Sequence, residues 1–157
     1  MPGQFDYSRI QIAPDRDMAA WWDGTKEKKF YLAECQDCGH RWYPPFPACK
    51  SCTSTNVGWH EIEGKGEIYS YIVVAQPIMA HTVPAVPYIV AIIELPDGNN
   101  ADGSKTRVSG VLLDDEEDVD IGLPVQLAWD DHPSQDYKIP RWKITSKTAA
   151  NTWRYPN

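Results

Sequence analysis

No apolar run in these 157 residues approaches the ~20 that a membrane-spanning helix needs, so no such span is expected. Basic charge is scarce. Lys+Arg number 15 against 22 Asp+Glu, a formal charge of −7. A protein that grips a phosphate backbone carries the opposite balance, which disfavours nucleic acid as the main partner. There is no Gly-x-Ser-x-Gly elbow. Gly64-Lys65-Gly66 is too short for a phosphate cradle and lacks the Lys-Ser/Thr ending. The acidic run 114–120, DDEEDVD, lacks the alternating order of a calcium loop and reads as a solvated loop or one helical turn. The opening residues, MPGQFDYSRI, show no basic stretch followed by an apolar one. A cytoplasmic location, where thiols stay reduced, is therefore the expectation.

Trp is frequent at 7 and Tyr at 8, with Phe only 3. Pro at 13 and Gly at 10 predict many turns and little long helix. The length suits one domain, or one domain with a small appended module, and hydrophobic residues at 42% with charged residues at 24% argue against disorder.

Residues 1–14 read as an irregular arm. Within 15–29, Met18, Trp21 and Trp22 share a helical face, Asp15 or Asp17 can cap it, and Gly24 is expected to end or kink it. Segment 30–34 reads as a short strand. Beyond residue 56, segments 57–63, 66–75, 86–95, 106–113 and 123–129 are rich in β-branched and aromatic residues and punctuated by turn formers. Five such strands predict a small barrel or sandwich. Ile68, Ser70, Ile72 and Val74 are expected on one face of 66–75, and 86–95 to be buried on both faces. Gly64 and Gly66 predict a tight turn or bulge, and the basic stretch 139–157, with Trp142 and Trp153, a tail.

All four cysteines fall into one pattern: Cys35-x-x-Cys38, ten residues, Cys49-x-x-Cys52. Two residues between thiolates let one turn aim both sulfurs at one ion, and two such turns make a tetrahedral site. Soft thiolates suit zinc, and iron as well. Two disulfides would need an oxidising compartment, and a thioredoxin-like site needs a βαβ setting that is missing. Four sulfurs close the shell of a metal, so a structural ion is expected, not a catalytic one.

The stretches CQDCGHRWYPPFPACKSC, WHEIEGKGEIYSYIVV, VPYIVAIIEL and IGLPVQLAW resemble the acyl-CoA-associated zinc-ribbon/OB-fold family, long catalogued as a domain of unknown function. The matching positions are Cys35, Cys38, Gly39, Pro44, Pro45, Cys49, Cys52, Trp59, Gly64, Gly66, Pro87, Tyr88, Ala91, Ile121, Gly122, Pro124 and Val125. They cover about residues 17–130 in order, and segment 98–106 looks longer than usual.

The resemblance implies a mainly β chain. Its parts are an N-terminal arm and helix (1–29), a rubredoxin-like zinc ribbon (30–56), a five-stranded OB-fold barrel (57–131) and a C-terminal tail (132–157). It further implies a non-catalytic partner subunit of thiolase-superfamily enzymes — thiolases, condensing enzymes or retro-aldolases — that act on CoA thioesters. The active residues would sit on the thiolase-like subunit, and this chain would support assembly and help hold CoA.

On that reading Lys28, Lys29, Arg41 and His81 are candidates for contact with CoA or the partner. Trp21, Trp22, Ile78 and Met79 are candidate interface anchors, the last two in the Pro-rich loop 76–86. The competing readings are a solvated basic face and core tryptophans. An OB-fold nucleic-acid module is the alternative function, opposed by the charge. A stand-alone acyl-CoA-binding protein or hydrolase is the third, opposed by four scattered histidines, none with a motif-spaced Ser and acid, and no spare thiol.

Overall fold

The computed structural model describes residues 3–149. Helix α1 spans Ala19–Lys26. It is followed by β1 (Tyr31–Cys35), β2 (Arg41–Trp42), β3 (Val57–Glu61), β4 (Lys65–Val74), β5 (Tyr88–Asn99), β6 (Lys105–Val111), β7 (Pro124–Asp131) and β8 (Lys138–Ile144). Short 3-10 turns lie at Tyr7–Arg9, Ala80–Thr82 and Glu116–Asp118.

The strands form two sheets, β2-β1-β3 and β6-β5-β4-β7-β8. Two segments therefore fall elsewhere than expected. Segment 57–61 joins the cysteine-bearing sheet, pairing antiparallel with β1 from Tyr31↔Glu61 to Cys35↔Val57. The fifth strand of the larger sheet comes from the expected tail, where β8 pairs with β7 from Val125↔Ile144 to Asp131↔Lys138. Trp142 is fully buried there. Trp153 lies outside the described residues.

The larger sheet curls until its edges touch. Leu112, just past β6, forms a parallel bridge with Trp142 of β8, and the Leu113 N–H donates to the Trp142 carbonyl at 2.8 Å. The main core runs from α1 into the larger sheet, and a smaller one of Ala33, Cys35, Trp42 and Cys49 lies in the cysteine-bearing sheet. The main core joins Trp21 of α1, Phe30, Leu32 of β1, the inner residues Ile68, Ile93 and Val125, and Trp142.

Three local expectations are revised. The helix passes through Gly24 and ends two residues later. Gly24 serves close packing: a Cβ there would lie 2.3 Å from the Tyr31 ring. Asp15 accepts from the N–H groups of Asp17 and Met18 at 3.0 and 2.9 Å, in the turn ahead of α1. In β4 the register shifts between Ile68 and Ser70. That bulge flips the alternation, so Tyr71 packs on the core while Ile72 is 62% exposed. Finally, β5 is buried on one face only. Ile89, Ala91, Ile93 and Leu95 point inward, whereas Ile92 is 37% exposed and Glu94 pairs with Lys105 and Arg107 at 2.5 and 2.9 Å.

Candidate metal centre

The four cysteine sulfurs lie within 4.8 Å of one another. Cys35 faces Cys52 at 3.5 Å and Cys38 faces Cys49 at 3.7 Å. Two similar turns build this cluster. In the first, the Gly39 N–H donates to the Cys35 carbonyl at 2.8 Å, and the Cys35 N–H to the His40 carbonyl at 2.9 Å. In the second, the Thr53 N–H donates to the Cys49 carbonyl at 2.9 Å, and the Cys49 N–H to the Ser54 carbonyl at 2.8 Å. Both turns need a left-handed residue. Gly39 takes it at φ 73° without cost, and Thr53 takes it at φ 62° despite its branched side chain. Asp37, inside the first turn, ties down the second by accepting from the Ser54 hydroxyl and from Asn56 Nδ2 at 2.9 Å. Those two bonds hold its carboxyl below the usual carboxylate range.

The sulfurs are poised for a cation. The backbone N–H of Cys38, joined by that of Asp37, pulls the Cys35 thiol down to about 7. At Cys38 the His40 N–H pulls the same way, yet burial and the neighbouring Cys52, Cys35 and Cys49 sulfurs push it up to about 12. Four thiolates this close repel, and a bound metal ion relieves that repulsion. The four cysteines thus fit one metal ion, with Cys35 and Cys49 buried against Ala33 and Trp42 and Cys38 and Cys52 at the surface. Beside them, the ring nitrogens His40 Nε2 and Trp42 Nε1 are buried without hydrogen-bond partners.

The other candidates do not converge. Lys28 is exposed, at φ 60° past the end of α1, and Lys29 pairs with Glu27 at 2.8 Å. Arg41 is committed to the seam between the two sheets. Its guanidinium pairs with Glu34 at 2.5 Å and donates to the Asp97 carbonyl at 2.9 Å. His60 completes that seam, 3.0 Å from Asp97 and 3.8 Å from Glu34. Asn100 accepts from the Arg41 N–H at 2.8 Å and donates to its carbonyl at 3.1 Å. The long 98–106 segment is therefore a clasp on the cysteine-bearing sheet. Sequence reasoning missed Asn100 and Asp97 and counted His60 only among the scattered histidines; the length of segment 98–106 was the available signal for Asn100. Trp21 is 2% exposed, its indole N–H donating to the Tyr31 carbonyl at 3.1 Å. It is a core residue and not an accessible anchor. Trp22 is half-buried between Trp21 and Tyr137, at 5.0 and 5.7 Å between ring centres. Ile78 and Met79 are 79% and 61% exposed, and His81 sits in the same loop near Phe5.

A four-cysteine sheet packed ahead of a curled sheet of order β6-β5-β4-β7-β8 defines a two-part β protein with an OB-type second part. Residues 59–130 match the family model described as ChsH2, C-terminal OB-fold domain. A DUF35 domain-containing scaffold protein of Methanocaldococcus jannaschii is 31% identical over 123 residues, 73% of this chain and 78% of that protein. A probable enoyl-CoA hydratase alpha subunit of Thermomonospora curvata is 34% identical over 121 residues, 77% of this chain. This chain spans only 35% of the Thermomonospora protein's length. Among solved structures, a chain of the Ltp2-ChsH2(DUF35) aldolase superposes with a TM-score of 0.72 at 28% identity, over 87% of this chain and 100% of that one. The chain belongs to the DUF35/ChsH2 OB-fold family.

Proposed function

We propose that this chain is a non-catalytic scaffold subunit of a thiolase-superfamily complex acting on CoA thioesters, with retro-aldol cleavage the favoured reaction. The observation that carries the reading is the likeness to the aldolase chain, which this fold covers from end to end. That protein's two-part name implies a second component beside the DUF35 chain. The Thermomonospora relative's name supplies the link to CoA thioesters.

On this reading the cysteine sheet is a zinc ribbon. Zinc held by Cys35, Cys38, Cys49 and Cys52 would fix the two turns, and iron would fit the same sulfurs. A tetrathiolate shell leaves no position for water, which agrees with a structural ion. Ile78 and Met79, with the free edge of Trp22, are offered to the partner, and Lys28 and Lys29 are the cations at hand for the phosphates of CoA. His81 would approach the partner through its loop. Arg41 would act indirectly by holding the ribbon in place.

The test is purification of the tagged chain from its native host, followed by mass spectrometry and elemental analysis. The expected result is a thiolase-superfamily protein in stoichiometric amount and one zinc per chain. Recovery of the chain without such a protein would refute the reading.

A further inference from the structure

The β4–β5 hairpin carries an unpartnered apolar surface. Ser70 lies opposite Ile92 and Ile72 opposite Val90, so Ile72, Val90 and Ile92 share the outer face. Ile72 is 62% and Ile92 37% exposed, a consequence of the bulge. The loop springing from the end of this hairpin exposes Ile78, Met79 and Val83. Large exposed apolar surface on a folded chain marks a contact site.

The loop is held ready for contact. The N–H groups of Gly3 and Asp6 donate to the carbonyls of Ala85 and His81, both at 3.0 Å, and Phe5 packs edge-on against Tyr88 at 4.9 Å. The arm is in turn anchored by Arg141, which donates to the Gly3 carbonyl at 3.0 Å. A braced loop loses little entropy on docking.

Charge identifies the occupant. At the same end of the hairpin, where Val73 and Ile89 pair on the inner side of the sheet, a groove of about 140 Å³ has an apolar floor of Val73, Pro87, Tyr88 and Ile89 and an acidic rim of Asp114, Asp115, Glu116 and Glu117. Asp114 is engaged by the Ile144 N–H at 2.8 Å, whereas Asp115, Glu116 and Glu117 have no ion-pair partner among the described residues. An apolar floor with an acidic rim suits a long basic side chain, its stem on Val73 and its head group at the carboxylates.

We infer that loop 76–86, flanked by the outer face of β4–β5 on one side and by the acidic groove on the other, forms the docking surface for the catalytic subunit, which presents an apolar ridge beside a projecting Arg or Lys. This rests on the scaffold reading and centres the interface on the larger sheet.

The probe is the thiolase-superfamily protein recovered with the tagged chain, produced alone and titrated against variants by calorimetry at low and high salt. Ile72→Asp with Ile92→Asp, and Ile78→Asp with Met79→Asp, should each weaken binding at least about thirtyfold, as loss of a central anchor does. Glu116→Lys with Glu117→Lys lies on an exposed turn and leaves folding undisturbed. It should weaken binding about tenfold at low salt and flatten the salt dependence. Arg16→Glu, on the exposed turn ahead of α1, should bind as wild type. Wild-type affinity in the apolar or the acidic variants overturns the proposal. So does wild-type self-association in sedimentation that Ile72→Asp abolishes, which would assign the face to a second copy. Absence of any co-purifying thiolase-superfamily protein refutes the scaffold reading itself.

Discussion

Leu112 and Trp142 form the one parallel bridge described in a structure whose other strand pairs are antiparallel. It brings the two outer strands of the larger sheet together. Trp142 lies fully buried, and a Cβ added at Gly110 of β6 would meet its indole at 2.2 Å. The OB-type sheet therefore closes on one large ring and one missing side chain. Trp142→Ala should cost roughly 3–5 kcal/mol of stability, and Gly110→Ala about 1–3 kcal/mol through overpacking. Urea unfolding followed by circular dichroism measures both, and a loss below about 1 kcal/mol for Trp142→Ala would contradict this account of closure.

Asn100 clasps both backbone groups of Arg41. Asn100→Ala leaves a half-buried backbone donor unpaired, for an expected loss of about 1–3 kcal/mol. Hydrogen exchange at the Arg41 amide should quicken, with little change at β7 and β8. Unchanged protection at Arg41 would show that the clasp is dispensable.

The sequence made the chemistry legible where it is local. The four cysteines, the helix around Trp21 and the apolar strands all declare themselves within a few residues. What it concealed depends on pairing at a distance. Segment 57–61 resembles any half-buried strand, and only its antiparallel partner β1 assigns it to the cysteine sheet. Segment 138–144 carries Lys138, Arg141 and Lys143, which gave it the texture of a tail. Yet Arg141 is buried, its charge balanced by Asp130 at 2.6 Å. The bulge after Ile68 leaves no mark in the alternation, so the outward turn of Ile72 was not readable.

Tyr7 predicts an alkaline limit. Its hydroxyl donates to Asp130 at 2.7 Å. Burial, reinforced by that carboxylate, raises its pKa well above the ordinary tyrosine value of 10.0. A group whose pKa is raised on folding contributes stability that is full below the unfolded value and lost as pH rises through the folded one. Unfolding free energy should therefore fall above pH ~10, and Tyr7→Phe should flatten that fall while lowering stability at neutral pH by about 1 kcal/mol. Urea titrations between pH 8 and 11 check it. An equal alkaline loss in both proteins would remove Tyr7 from the explanation.

The cysteine centre predicts metal-linked folding. Cys35→Ser or Cys49→Ser, each removing a buried sulfur, should abolish stoichiometric metal and loosen β1–β3. Because Cys38 holds its proton up to about 12 before a metal displaces it, metal affinity should fall as pH is lowered. Elemental analysis and chelator competition at two pH values measure this. Full metal content in either serine variant would contradict the four-sulfur assignment.

Turnover decides the central claim. CoA-thioester cleavage should be assayed with the purified complex, with the thiolase-superfamily subunit alone and with this chain alone. The scaffold account predicts cleavage by the complex and none by this chain, with the separated catalytic subunit unstable or strongly impaired. Turnover by this chain alone, or full activity of the other subunit without it, would contradict the account.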